Sequence, residues 1–201
     1  MPRRRKSDAD SGEPRVLLLI TSCQAFADKC EAVRRTWLLD LPALKGCSAL
    51  FVVGRPGQPT AVEGDILFVD AEDTYQALPL KVIRAMGWVH AHLDPDFVFK
   101  CDDDSFVCLP RLMASSFREH DYYGLDFREF LFTLLPSYLP VPVKRFVFSW
   151  FHPVPFAQGG AGYMLSRRAL RAVCSCRATF LVCASPSASD VHDARGVVRE
   201  L

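Results

Sequence analysis

The chain has 201 residues, half of them hydrophobic and 15 of them Phe, with a formal net charge of +1 at pH 7. That length suits one domain with a substantial core, and the apolar content excludes an intrinsically disordered chain. The near-neutral balance gives no electrostatic case for nucleic acid, which normally needs a basic surface, so no nucleic-acid partner is expected.

Residues 1–14 are charged and carry Ser, Gly and Pro, which predicts a mobile lead-in before a single domain over residues 15–201. The basic run Arg3-Arg4-Arg5-Lys6 reads as a plain tail in preference to a nuclear address or the cytosolic flank of an anchor, because no apolar span follows it. Residues 16–21 are continuously apolar and predict a strand covered on both faces. They fall far short of the roughly 20 residues a membrane helix needs, so no transmembrane segment is expected in this chain. Residues 26–39 carry Phe26, Cys30, Val33 and Trp37 at helical spacing. Residues 49–54 read as a second strand, closed by the turn-rich Gly54-Arg55-Pro56-Gly57, and residues 65–70 read as a third.

A helix is expected over residues 78–92. Pro79 suits its first turn, and Leu78, Val82, Ala85, Trp88 and Val89 form its core-facing stripe. Residues 96–100 form a further strand, and residues 109–120 another helix with Pro110 near its start. Alternating strands and helices imply an α/β sheet, mixed but mainly parallel and flanked by helices.

The strand over residues 96–100 runs into three consecutive carboxylates, Asp102, Asp103 and Asp104. Resumption of an apolar pattern at Ser105-Phe106-Val107 pins the acids between buried pieces, which favours a site over a solvated loop. Side chains two apart on an extended strand share a face, so Asp102 and Asp104 are expected to aim at one ion while Asp103 faces elsewhere. Hard cations such as Mg²⁺ and Mn²⁺ take oxygen ligands, and Mg²⁺ typically uses one or two carboxylates plus substrate phosphates. Crowded like charges also disfavour ionisation unless a cation neutralises them. In parallel sheets, ligands bind beyond the carboxyl ends of the strands, where these acids lie.

From residue 121 to 158 the pattern dissolves into aromatics and prolines, a stretch long enough to hold further strands or to shape a pocket. Gln158-Gly159-Gly160-Ala161-Gly162 then precedes a short strand at Tyr163-Met164-Leu165. Its glycines suit either a tight turn or close backbone approach to a ligand. Ser166 is placed to cap a helix running to about Cys174. The eight cysteines permit disulfides in an oxidising compartment without placing the protein in one. Cys101 and Cys108 read as small core residues. The Cys174-x-Cys176 pair with Cys183 fits no common zinc spacing. The chain contains no Asn, which excludes N-glycosylation.

Several of these segments, in order, resemble the β-1,3-glycosyltransferase family (family 31), which includes β-1,3-galactosyltransferases, β-1,3-N-acetylglucosaminyltransferases and fringe. Arg34-Arg35-Thr36-Trp37 is similar to the family's R-x-T-W helix. Asp73-Thr74-Tyr75-x-x-Leu78-x-x-Lys81 is similar to its D-x-Y-x-N-L-x-x-K segment, with Ala77 replacing the usual Asn. The run from Phe97 to Val107 resembles its metal motif, and Tyr122-Tyr123-Gly124 with the segment from Gly159 to Ser166 completes the series.

The resemblance implies a Rossmann-like GT-A fold, Mn²⁺ with Mg²⁺ as the alternative, and a UDP-sugar donor. It also implies inverting transfer of galactose or an N-acetylhexosamine to a glycan or glycoconjugate hydroxyl. By the same resemblance Asp104 is the main metal ligand, Asp102 a second, and Asp102 and Asp103 orient the ion and the donor. Arg34 and Lys81 support donor binding, and Gly159 and Gly160 line the sugar site through their backbone.

The family's E-D-V segment, whose Asp is the base, has its nearest counterpart in Ser189-Asp190-Val191, which makes Asp190 the candidate base with Ser in the Glu position. The family's late His ligand is not matched, since His192 does not fit by spacing and the sequence closes at Leu201. Family membership implies the Golgi; without an anchor or signal in these residues, the cytoplasm is the alternative. Two competing readings follow. One is a catalytically impaired relative that binds nucleotide sugar and acts through a partner. The other is a haloacid-dehalogenase-type phosphatase, whose nucleophilic Asp normally opens the first strand rather than a later one.

Overall fold

The structure, a computed structural model, describes residues 13–125, 140, 157 and 159–176. The element order is β1 (Val16–Thr21), α1 (Ala27–Arg34), β2 (Cys47–Gly54), β3 (Ala61–Glu63), β4 (Ile66–Val69), α2 (Leu78–His92), β5 (Phe97–Asp102), α3 (Leu109–Ala114), β6 (Tyr122–Gly124), β7 (Tyr163–Ser166) and α4 (Arg167–Ser175). The strands form one sheet in the order β3-β4-β2-β1-β5-β7-β6. The four inner strands β4, β2, β1 and β5 are parallel, while β3, β7 and β6 join antiparallel. The sheet is thus mixed, with its parallel part confined to the core.

All six residues of β1 are buried. Their alternation explains the two-sided packing. Leu18 and Ile20 join Phe51, Phe99 and the α1 residues Cys30 and Val33 on one face. Leu17 and Leu19 join Val52, Leu67, Val98 and the α2 residues Ala85, Met86 and Val89 on the other. Each such aliphatic side chain contributes about 1.5–3 kcal/mol on burial, so the central strand is fixed by its own hydrophobicity. None of the described helices is long and apolar enough to cross a membrane.

Local chemistry moves several expected boundaries. The helix expected over residues 26–39 is α1 alone, flanked by 3₁₀ turns at Gln24–Phe26 and Trp37–Ala43. Thr36 Oγ1 donates back to the Ala32 carbonyl at 2.7 Å and Pro42 stands inside the second turn, so the helix cannot continue. Phe26 is exposed rather than packed in the core. The helix expected over residues 109–120 breaks at Ser115, whose backbone is extended (φ −75°, ψ 169°) and whose Oγ donates to the Leu112 carbonyl at 2.7 Å. Cys108, expected in the core, is exposed just before α3, whereas Cys101 is fully buried. The expected cap of α4 is present: Ser166 Oγ accepts from the Ala169 amide at 3.2 Å.

Candidate functional site

The connections from β1 run through α1 to β2 on one side, while α2 crosses over from β4 to place β5 on β1's other side. Strand order therefore reverses between β1 and β5, the point where open α/β sheets bind ligands beyond the strand ends. Register puts Thr21, the last residue of β1, directly beside Asp102, the last residue of β5. The acidic run lies at that corner.

The three aspartates are held differently. Asp102 Oδ1 accepts from the Thr21 hydroxyl and from Lys100 Nζ, the latter at 2.5 Å. Its Oδ2 faces Gly160, where an added Cβ would stand 3.4 Å away. Asp103 donates its amide to the Thr21 carbonyl at 3.1 Å. Its Oδ2 accepts from Ser22 Oγ at 2.6 Å, and its Oδ1 lies 3.7 Å from Lys29 Nζ. Asp104 is exposed, and no described group donates to its carboxylate. The strand ends at Asp102, and the Ser105 amide donates to the Asp102 carbonyl at 3.2 Å, closing a turn. Asp104 thus stands on a turn, so the strand-alternation argument for a face shared with Asp102 does not apply.

The glycine segment folds over these acids. Lys100 Nζ donates to the Gly159 carbonyl at 3.1 Å, and Ser105 Oγ to the Gly160 carbonyl at 2.5 Å. Gly162 sits at φ +99°, and a Cβ there would fall 2.5 Å from Phe99 Cζ. Only glycine fits that position, both in backbone conformation and in space. Residues flanking the acid run on either side therefore latch the loop beside Asp102. Lys100 and Ser105 were not singled out from the sequence. Lys100 is hidden in an apolar run, although a basic residue two before a carboxylate on a strand shares its face.

A second polar group of residues supports the corner from behind. Lys81 is buried, and its Nζ donates to the Ser22 carbonyl at 2.8 Å and to Asp73 Oδ1 at 3.0 Å. Asp73 also accepts from the amides of Gln24 and Gly54, at 2.6 and 2.9 Å. Lys81 thus ties the α2 crossover to the β1 end. Arg34 lies elsewhere on α1, where its Nε and Nη2 grip Asp65 at 2.7 and 2.9 Å. That guanidinium holds the Asp65 carboxyl below its ordinary range. Burial pushes the Cys101 thiol up to about 12, so it stays protonated beside the acids. Burial likewise raises the Tyr163 hydroxyl. The Cys30 thiol, also raised by burial, lies against Ser22 Oγ at 3.1 Å. Asp190 and His192 lie outside the described residues.

The free valences suit a hard divalent cation. Asp102 Oδ2 and Asp104 are carboxylate oxygens without a described donor, the one or two ligands that Mg²⁺- or Mn²⁺-type sites typically draw from protein. No group of three or more His, Cys, Asp or Glu side chains able to hold a metal is present among the described residues. The remaining ligands therefore have to come from elsewhere, as phosphate and water do.

A separate cleft of about 360 Å³ lies between the β4 end and α2, lined by Thr60, Asp70, Arg84, Gly87, Trp88 and His92 among others. Its charged groups are spent on one another. Arg84 Nη1 pairs with Asp70 at 2.9 Å, Asp70 accepts from the Gly57 amide at 2.8 Å, and the His92 ring stacks on Trp88.

The galactosyltransferase family profile matches residues 28–181. The chain is 32% identical over 112 residues to β-1,3-galactosyltransferase 6 of Mus musculus, covering 48% of this chain and 34% of that protein. It is 25% identical over 131 residues to β-1,3-galactosyltransferase 4 of Homo sapiens, covering 57% of this chain and 34% of that protein. It is 29% identical over 185 residues to the acetylgalactosaminyl-O-glycosyl-glycoprotein β-1,3-N-acetylglucosaminyltransferase of Mus musculus, covering 78% of this chain and 45% of that protein. The matched part is thus less than half the length of each of these relatives. With the family profile spanning most of its residues, the chain belongs to the galactosyltransferase family.

Proposed function

We propose that this chain carries the donor-binding part of a hexosyltransferase that moves galactose or an N-acetylhexosamine from a UDP-sugar to a glycan hydroxyl. The transfer forms a β-1,3 linkage with inversion and uses Mn²⁺, with Mg²⁺ as the alternative. The observation that carries this reading is the β1–β5 corner, where Asp102 Oδ2 and Asp104 are without donors among the described residues, beside a latched glycine loop. The names of the relatives support the linkage and the sugar class.

In this reading Asp102 and Asp104 hold the cation, which when bound supplies Lewis-acid stabilisation of charge on a diphosphate leaving group. Thr21 and Lys100 fix Asp102 by its other oxygen, so the free oxygen keeps one orientation. Asp103 is a positioning residue: its bonds to Ser22 and to the Thr21 carbonyl fasten the acid turn to the end of β1. Lys81 and Arg34 act one step removed, Lys81 by holding the Ser22 carbonyl and Arg34 by holding α1 to Asp65. Gly159 and Gly160 leave room for a sugar over the acids. Displacement with inversion also needs a base for the acceptor proton, the role proposed for Asp190. The proposed compartment is the Golgi lumen.

The test is a titration of UDP with and without Mn²⁺, followed by a transfer assay over a panel of UDP-sugars. Metal-dependent binding with transfer supports the reading. Metal-dependent binding without transfer replaces it with a nucleotide-sugar-binding relative. No binding in Mn²⁺ rejects both.

A further inference from the structure

Three basic side chains are joined to the acid corner by described contacts: Lys29, Lys81 and Lys100. Two are committed. Lys100 and Lys81 have side chains only 5% and 4% exposed, each holding an aspartate and a backbone carbonyl. Lys29 differs. Its side chain is 38% exposed, and its Nζ is 3.7 Å from Asp103 Oδ1, beyond hydrogen-bond range. The same nitrogen lies 3.8 Å from the centroid of the Phe26 ring, itself exposed at the rim. Ring and carboxylate thus hold an ammonium beside the acids, with hydrogen-bond donors unspent among the described residues.

From this geometry we infer that Lys29 binds the β-phosphate of the nucleotide sugar, an inference that rests on the function proposed above. The charge count supports it. Lys100 offsets one of the three aspartates and a divalent ion offsets the other two, so the two phosphates meet no surplus positive charge. When the bond from the sugar to the β-phosphate oxygen breaks, its electron pair stays on that oxygen and the diphosphate gains a further negative charge. Among the described residues, Lys29 is the cation of this corner that is exposed and uncommitted, and a flexible ammonium can turn from Asp103 toward phosphate without breaking a hydrogen bond. Its effect therefore falls on nucleotides that carry a β-phosphate.

The experiment is calorimetric titration of UDP and UMP in Mn²⁺ against the parent, Lys29→Met and Lys29→Arg. Loss of a charge-assisted hydrogen bond predicts that Lys29→Met weakens UDP about tenfold or more. UMP is expected to change less than about threefold, and Lys29→Arg to keep more UDP affinity than Lys29→Met, since both cations donate charge-assisted hydrogen bonds to phosphate. The exposed site leaves Tm unchanged, which separates lost contact from lost fold. Equal UDP affinity in the parent and Lys29→Met overturns the inference, as does an equal loss for UDP and UMP. A parent that binds no UDP in Mn²⁺ overturns the function it rests on, and the inference with it.

Discussion

The acid corner at the ends of β1 and β5 and the cleft beside α2 differ in what they leave unspent. In the cleft, Arg84, Asp70 and the Gly57 amide satisfy one another, and His92 closes over Trp88. At the corner, Thr21, Ser22 and Lys100 satisfy half of each of two carboxylates, while Asp102 Oδ2 and Asp104 have no donor among the described residues. Under the proposed function the reactive place is marked by unsatisfied charge at a strand-order reversal rather than by concavity. Two buried lysines also brace the corner, Lys81 through the Ser22 carbonyl and Lys100 through Asp102.

The contrast can be broken in stages. The largest expected effect is on the brace. Lys81→Met removes a buried cation whose partner, Asp73, is only 16% exposed, and breaking such a pair costs about 3 kcal/mol. Thermal unfolding should show a fall in Tm of roughly 6–12 °C, at about 2–4 °C per kcal/mol. A fall under a degree would show that the pair carries no strain of charge. Gly162→Ala should do comparable damage, about 2–3 kcal/mol, through its positive φ and the clash with Phe99. Denaturant midpoints equal to the parent's would mean the loop relaxes freely.

The next effect separates the two regions by function. Asp104→Ala is expected to abolish Mn²⁺-dependent UDP binding with Tm nearly unchanged, since an exposed substitution usually moves stability by less than about 0.5 kcal/mol. Arg84→Ala in the cleft should leave UDP affinity at the parent value and lower stability by about 0.5–1 kcal/mol. Parallel titrations of both variants check the pair, and an affinity loss confined to Arg84→Ala would reverse the assignment of the two regions.

The smallest effect is pH dependence at the periphery. Arg34 depresses the Asp65 carboxyl, so the contribution of this pair is fully present above the unfolded carboxylate value of about 4. It is lost as pH falls through the lower folded value. Because Asp65 is 47% exposed, screening limits this to about 0.5 kcal/mol. Asp65→Asn should therefore lose stability near neutrality yet converge with the parent in acid. Divergence on acidification would contradict the sign.

The parallel core was legible because its strands are continuous apolar runs, and α2 because Pro79 and the stripe through Ala85 and Val89 agree. The acids announced themselves by spacing, the glycine segment by composition. What stayed hidden depends on partners distant in sequence. Lys100 lies inside an apolar strand, and its role rests on contacts with Asp102 and the distant Gly159. Lys81 was legible only through its match to the family segment, because it sits on the buried face of an amphipathic helix, where periodicity assigns apolar residues. Thr36 and Ser115 end helices by bonding backward, which competes with helical patterning rather than interrupting it. β3 is three exposed residues paired on one side, too short for any periodic signal.

The most direct test of the central claim is manganese anomalous scattering from crystals grown with UDP. The account predicts a single peak at the Asp102–Asp104 corner, shared with the nucleotide's phosphates. An ordered nucleotide with no metal at that corner, or a peak in the α2 cleft instead, would contradict it.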